Sequence, residues 1–360
     1  MWGASAQLLP GLSVLSAWRD TVKRVNASDD SRGGQTSAQP IPTDPVELAA
    51  RIRTGDRRSL ARAISLVENR SPAGRAVVSE LYPTTGDTRI VGMTGPPGVG
   101  KSSLVGALVR HLRTDTTNDP TIGVVSVDPS SPFTQGALLG DRIRLADHFL
   151  DRKVFIRSMG TRGHLGGLAE TSLQVALLLD AWGSTDVFME TVGVGQSEVE
   201  VANIADTVVL ILMPGSGDAV QALKAGIMEI PDIIVINKAD HPDARTLHNQ
   251  VRGVLSLDAH RDWKPPIVET VATTGEGVDK LWDKIAEHRD FMALDGRFEA
   301  RRRANLEGEV FSHASARARV VLEERVNSDP RLRELLDAMH RRELDPLTAT
   351  LRLYEDVFRT

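Results

Sequence analysis

Cysteine is absent from all 360 residues, which excludes disulfide bridges and thiolate-held metal sites. Histidine is sparse and scattered, with nine residues in the chain and no cluster at metal-ligand spacing. No apolar run approaches the length of a membrane span. The first residues lack the basic start and clean apolar stretch of a secretory signal, since Leu8 to Trp18 is short and interrupted. An excess of basic charge is also missing. The formal net charge is −5, so there is no sign of a nucleic-acid-binding surface, and Arg301-Arg302-Arg303 reads as one solvated helix face. These absences predict a soluble, cytoplasmic protein with neither a nucleic-acid nor a membrane partner. What is present, 41% hydrophobic residues in a chain of this length, suffices for one large core with smaller appendages.

The chain divides by pattern into four parts. Residues 1–42, rich in Ser, Gly, Asp and Gln between Asn26 and Gln39, read as a disordered extension. Over 43–84 the apolar residues Leu48, Ile52, Leu60, Ala63, Ile64, Leu66 and Val67 recur at helical spacing and predict a small helical unit. Residues 85–290 alternate strand and helix patterns, the signature of an α/β, doubly wound, mostly parallel sheet flanked by helices. Over 291–360 the strands stop. Glu299 to Val326, Arg331 to Arg342 and Pro346 to Val357 read as helices separated by Asp329-Pro330 and Asp345-Pro346, and their apolar stripes either pack back on the core or form a subunit interface.

The segment Gly95-Pro96-Pro97-Gly98-Val99-Gly100-Lys101-Ser102 fits the phosphate-binding loop G-x-x-x-x-G-K-[ST]. It follows an apolar strand pattern at Ile90–Met93 and opens a helix at Ser103, the context that such a loop requires. Its glycines let successive backbone N–H groups turn inward around a β-phosphate. Lys101 would reach the β/γ oxygens, and the Ser102 hydroxyl can ligate Mg2+. Further on, Asn237-Lys238-Ala239-Asp240 follows the apolar run Ile233–Ile236 and matches the guanine-reading pattern N-K-x-D. The Asp240 carboxylate can accept from guanine N1–H and the 2-amino group. Adenine offers neither donor, so GTP is favoured over ATP. Ala272 and Thr273 fit either the loop that closes over the base or an ordinary strand end.

Three acids are candidates for the metal and the attacking water: Asp128, Asp141 and Glu190. Each taken singly could equally be a helix cap or a surface charge. Glu190 opens Glu190-Thr-Val-Gly193, the D-x-x-G position of other GTPases with Glu for Asp, so that contact with Mg2+ is either direct or through water. Gly193 would offer its N–H to the γ-phosphate, making 192–198 a switch ordered by GTP.

Together these motifs resemble the methylmalonyl-CoA mutase-associated GTPases of the MeaB/ArgK/MMAA type, within the SIMIBI class of P-loop GTPases. The match extends to Val127-Asp-Pro-Ser-Ser131, Leu139-Gly-Asp-Arg142, Thr161-Arg-Gly-His-Leu-Gly-Gly167 and Glu190-Thr-Val-Gly-Val-Gly-Gln-Ser-Glu198. It covers residues 45–290 well and the helical tail loosely, and the Glu at 190 is that family's own pattern. The resemblance implies a chaperone for an adenosylcobalamin-dependent acyl-CoA mutase that gates cofactor loading and aids protection or reactivation. It also implies a homodimer through the C-terminal helices. It assigns Gly95–Ser103 to the phosphates, Asn237, Lys238 and Asp240 to guanine, and Ser102, Asp128, Asp141 and Glu190 to Mg2+ and water. Gly215–Gln221 with Lys224 would be a further loop linking partner and nucleotide.

The expected chemistry is in-line attack of water on the γ-phosphate, driven by positioning and charge. No residue matches a water-orienting Gln, since Gln196 lies at a different spacing, so intrinsic hydrolysis is expected to be slow and accelerated by the mutase. Arg142, Arg144, Arg157 and Arg162 are candidates for a charge-stabilising arginine, with structural ion pairs as the alternative. Competing readings are a metallocentre-maturation GTPase, disfavoured by the missing Cys and His clusters, a transport-linked kinase, and a binding switch whose hydrolysis is incidental.

Overall fold

The computed structural model describes residues 41–115, 117–128, 145–160, 167–191, 201, 203–215, 230–257 and 262–358. Three helices come first: α1 (Pro45–Arg53), α2 (Arg57–Glu68) and α3 (Pro72–Leu81). Each begins on a side chain that satisfies an otherwise orphaned N–H. Asp44 accepts from Glu47 N at 2.9 Å, Asp56 from Arg58 N at 3.1 Å, and Ser71 from Gly74 N at 3.0 Å. The helical spacing seen in the sequence is the buried stripe: Leu48, Ile52, Leu60, Ala63, Ile64 and Val67 are all closed off from solvent.

Seven strands form one parallel sheet: β1 (Arg89–Thr94), β2 (Ile122–Asp128), β3 (Val154–Gly160), β4 (Asp186–Thr191), β5 (Thr207–Leu212), β6 (Ile233–Asn237) and β7 (Ile267–Thr270). Their order is β3-β2-β4-β1-β5-β6-β7. The interleaving helices are α4 (Lys101–Thr114), α5 (Gly167–Ala181), α6 (Ala244–Leu255) and α7 (Val278–Met292). β4, β5 and β6 are buried at every position, as parallel strands covered on both faces must be. One face packs α1–α3 and α5 through Leu60, Ile64, Val175, Leu179 and Trp182. The other packs α4 and α7 through Leu104, Leu108, Leu281 and Ile285. The order reverses at β1, whose carboxyl end is therefore the crevice where a doubly wound sheet receives ligands.

The tail continues as α8 (Arg297–Ser328), α9 (Pro330–His340) and α10 (Pro346–Phe358). α8 starts two residues earlier than the pattern suggests, because Asp295 (φ 56°) and Gly296 (φ 69°) turn the chain in left-handed conformations just before it. Asp329 ends α8 and caps α9 by accepting from Arg331 N at 2.9 Å. No described helix is long and apolar enough to cross a membrane.

Two successive arginines fasten α8 to the amino ends of the strands. Asp206, just before β5, accepts from Ile90 N at 2.9 Å and from Arg302 Nε and Nη2 at 2.8 Å each. Arg302 also donates to the carbonyls of Gly86 and Thr88 and lies over the Phe298 ring. Asp232, just before β6, accepts from Val208 N at 2.8 Å and pairs with Arg301 at 3.0 Å and buried His288 at 3.3 Å. Burial opposes charge on Asp232, yet the His288 hydrogen bond and the Arg301 charge hold its pKa below the ordinary carboxylate value. Burial likewise opposes charge on Arg302, but the hydrogen bonds and charge of Asp206 keep its pKa above the usual arginine value.

Candidate functional site

The loop between β1 and α4 is shaped by what its glycines touch. A Cβ on Gly95 (φ 140°) would sit 2.1 Å from Ile211 O, and one on Gly100 (φ 95°) would sit 2.5 Å from Asn237 Nδ2. Gly95 therefore admits no side chain, and a side chain at Gly100 would be strained and would have to displace the Asn237 amide. Gly100 is the N-cap of α4, so the helix begins at Lys101 and its positive end faces the loop. Lys101 is buried, and its ammonium donates to Gly95 O at 2.6 Å and Pro96 O at 2.9 Å, folding back over the loop it serves. Ser103 is half-buried in the same first turn, while Pro97 and Gly98 are exposed at the loop's crest and Val99 anchors it in the core.

Ser102 Oγ donates to Glu190 Oε1 at 2.6 Å, and both residues are buried. Strand register brings them together: β4 pairs with β1 so that Glu190 lies beside Met93, two residues before the loop. Asp128 ends β2, whose Ser126 is itself in register with Glu190. A hydroxyl and a carboxylate in contact at the mouth of a phosphate loop are hard oxygen donors, the set that suits Mg2+.

The Asn237–Asp240 segment is bound to the loop by one amide. Asn237 Nδ2 donates to Val99 O at 2.7 Å, while its Oδ1 accepts from Thr270 Oγ1 and Ala272 N, each at 3.2 Å. The β6–β7 register sets Asn237 beside Thr270. Lys238 adopts φ 56° and sends its ammonium over the loop to Gly98 O at 3.1 Å. The Lys238 Nζ also lies 3.2 Å from Met213 Sδ. Asp240 and Thr273 are exposed at the rim, and Ala272 is buried.

Lys101, Ser102, Glu190, Asn237 and Ala272 thus share one site with Gly95–Gly100, and Lys238 reaches across it. Asp141 and Gly193 lie outside the described residues, as do Arg142, Arg144, Arg162, Gln196 and the 216–224 loop. Residues 1–40 of the expected extension are outside them too. Arg157 is committed elsewhere: its guanidinium pairs with Glu68 and donates to Ser65 Oγ of α2 at 3.2 Å. Two participants carried no signal in the sequence. Thr270 and Met213 touch Asn237 and Lys238, but a threonine or methionine at a strand end has no distinguishing pattern, and only strand register reveals them.

A family model described as "Methylmalonyl Co-A mutase-associated GTPase MeaB" matches residues 60–328. A protein of Pyrococcus abyssi named as a GTPase is 44% identical over 315 residues, covering 86% of this chain and 96% of its own. The GTPase ArgK of Escherichia coli is 34% identical over 327 residues, with coverage of 86% and 96%. A crystal structure of an LAO/AO transport system kinase superposes with a TM-score of 0.70 at 27% identity, covering 88% of this chain and 99% of that one.

Proposed function

The chain belongs to the MeaB family of methylmalonyl-CoA mutase-associated GTPases, and from that premise we propose that it is a GTP-hydrolysing chaperone for an adenosylcobalamin-dependent acyl-CoA mutase. In this reading it acts in the cytoplasm as a homodimer, gating cofactor loading and aiding protection or reactivation of the mutase. The observation that supports the mutase partner is the family match over residues 60–328, and the Ser102–Glu190 contact supports the GTPase part of the reading. It joins the phosphate loop to Glu190 at the end of β4, so that nucleotide bound at the loop would be felt at the end of that strand.

In the proposed site, loop N–H groups and the α4 terminus hold the phosphates, and Lys101 leaves the carbonyls of Gly95 and Pro96 for the β/γ oxygens. Asn237 braces the loop, Lys238 covers the base, and Asp240, with Ala272 and Thr273 beside it, selects guanine. Ser102 and Glu190, with Asp128 and Asp141, would hold Mg2+. The bound ion supplies positive charge against the charge that develops on the phosphoryl oxygens. Water attacks the γ-phosphorus as its bond to the bridging oxygen breaks, giving GDP and phosphate, and the proton of the water ends on the products. Gly193 donates its N–H to the departing phosphoryl group. Support for a homodimer comes from apolar side chains exposed on α8 and α10, Val310, Phe311, Leu347, Leu351 and Tyr354.

The test is GTP hydrolysis by the purified protein, with ATP as control, alone and with the adenosylcobalamin-dependent acyl-CoA mutase of the same organism. The expected outcome is GTP-selective turnover that rises with the mutase and is lost in Lys101→Ala. Turnover indifferent to the mutase would remove the chaperone assignment, and preference for ATP would restore the kinase reading.

A further inference from the structure

β5 brings to the nucleotide crevice a side chain that neither the phosphate loop nor the N-K-x-D segment contains. Met213 follows Leu212 at the carboxyl end of the strand, and the Leu212–Ile236 register sets it level with Asn237, one residue before Lys238. Its side chain is half-buried against the core cluster that includes Val99 and Leu104, and its Sδ lies 3.2 Å from Lys238 Nζ. A thioether sulfur is a weak acceptor, but the donor here is a charged ammonium, which strengthens the bond.

The backbone of Lys238 is set by its neighbours. Its φ is 56°, its carbonyl accepts from His241 N at 3.0 Å, and the next residue donates from Ala239 N to Thr270 O at 3.1 Å. The four-carbon stem is exposed, however, and keeps its rotamer freedom unless the ammonium at its tip is held. Two acceptors hold that ammonium, Gly98 O at 3.1 Å and Met213 Sδ. Gly98 stands exposed at the crest of the phosphate loop, whereas Met213 closes a strand that is buried at every position. The sulfur is therefore the acceptor whose place is fixed by the core.

We propose that Met213 is a positioning residue for nucleotide binding: its sulfur anchors the Lys238 ammonium, and the anchored stem lies ready over the purine ring. The proposal deepens the reading of Lys238 as the cover of the base and rests on it. It is independent of the mutase. Because the lysine stem meets the face of the ring and not its edge, Met213 governs how tightly a purine nucleotide binds, and the choice among purines stays with Asp240.

The experiment is isothermal titration of the full chain, with Mg2+ present, by GTP and by ITP, whose base lacks the 2-amino group. Met213→Leu conserves the volume and removes the acceptor. It is expected to weaken GTP and ITP alike, by about fivefold, and to leave their ratio unchanged. Met213→Gln returns an acceptor oxygen at similar reach and should regain most of the loss, a rescue that a purely apolar packing role would not give. Lys238→Met keeps an unbranched stem without the ammonium, and in that background Met213→Leu should have no further effect. Affinity untouched by Met213→Leu, a loss that persists undiminished beside Lys238→Met, or a changed GTP:ITP ratio would each overturn the proposal. The reading beneath it is judged by Lys238→Met alone. If that variant binds GTP as tightly as the unaltered protein, the lysine does not cover the base and the proposal falls with it; if it binds weakly while Met213→Leu does not, the reading stands and only the role of Met213 is lost.

Discussion

Asn237 is held on both ends of its amide, and the arrangement gives each end a distinct task. The Nδ2 bond to Val99 O ties it to the phosphate loop, and the Oδ1 bonds tie it to Thr270 and Ala272. Asn237→Ala should leave Val99 O and Ala272 N without these partners in a buried setting, at a cost of about 2 kcal/mol in stability. GTP affinity should fall by about thirtyfold, the equivalent of that energy. A fluorescent-GTP titration beside a urea melt measures both. Gly100→Ala probes the same junction from the opposite side, because its methyl group would sit 2.5 Å from Asn237 Nδ2 and force φ 95° on an alanine. Nucleotide affinity should again fall by at least about tenfold. A Gly100→Ala protein with unaltered affinity would show that the loop rearranges and that the bond to Val99 is dispensable.

The double fastening of α8 invites measurement at the level of elements. Arg302→Ala removes both bonds to Asp206 and those to Gly86 O and Thr88 O, leaving a buried carboxylate with only Ile90 N. The expected cost is about 3 kcal/mol, and hydrogen exchange should quicken in the first turns of α8 ahead of the sheet. Asp232 adds a pH signature. Its pKa is lower in the folded protein than the ordinary 3.8, so its stabilisation is complete above that value and is lost as pH falls through the folded pKa. Urea denaturation below about pH 3.8 should therefore weaken the unaltered protein more steeply than Asp232→Asn. A parallel pair of curves would place the acid sensitivity elsewhere. Neither fastening was visible in the sequence. The arginines at 301–303 read there as a solvated face, and two of the three are in fact committed to aspartates about 69 and 96 residues earlier in the chain. Helical periodicity identifies a helix and its apolar stripe, but not which distant strand start its charges will meet. The phosphate loop and the guanine-reading segment were legible because their chemistry is local. A few consecutive residues carry the turn, the charge and the helix start, whereas the register that sets Glu190 beside the loop is a property of the whole sheet.

At the scale of the molecule, the sheet separates two ends: the carboxyl end gathers Lys101, Ser102, Glu190 and Asn237, and the amino end receives α8 through Arg301 and Arg302. Exposed Leu351 and Tyr354 on α10 should lie in the proposed homodimer interface. Leu351→Glu with Tyr354→Glu should convert the dimer to a monomer in sedimentation velocity while basal GTP turnover persists. A monomeric unaltered protein would end that reading. The length of α8 has one more consequence. Thirty-two residues at 1.5 Å each give a rod of about 48 Å, and only Glu309 and Val326 along it are buried. It is clamped near one end by Arg301 and Arg302, about 39 Å from its far end, so a tilt of about 5° at the clamp would sweep that end through about 3 Å. The helix thus works as a pointer with a short arm in the sheet and a long arm outside it. A displacement too small to notice at the strand starts would emerge, geared up, where α9 and α10 are carried.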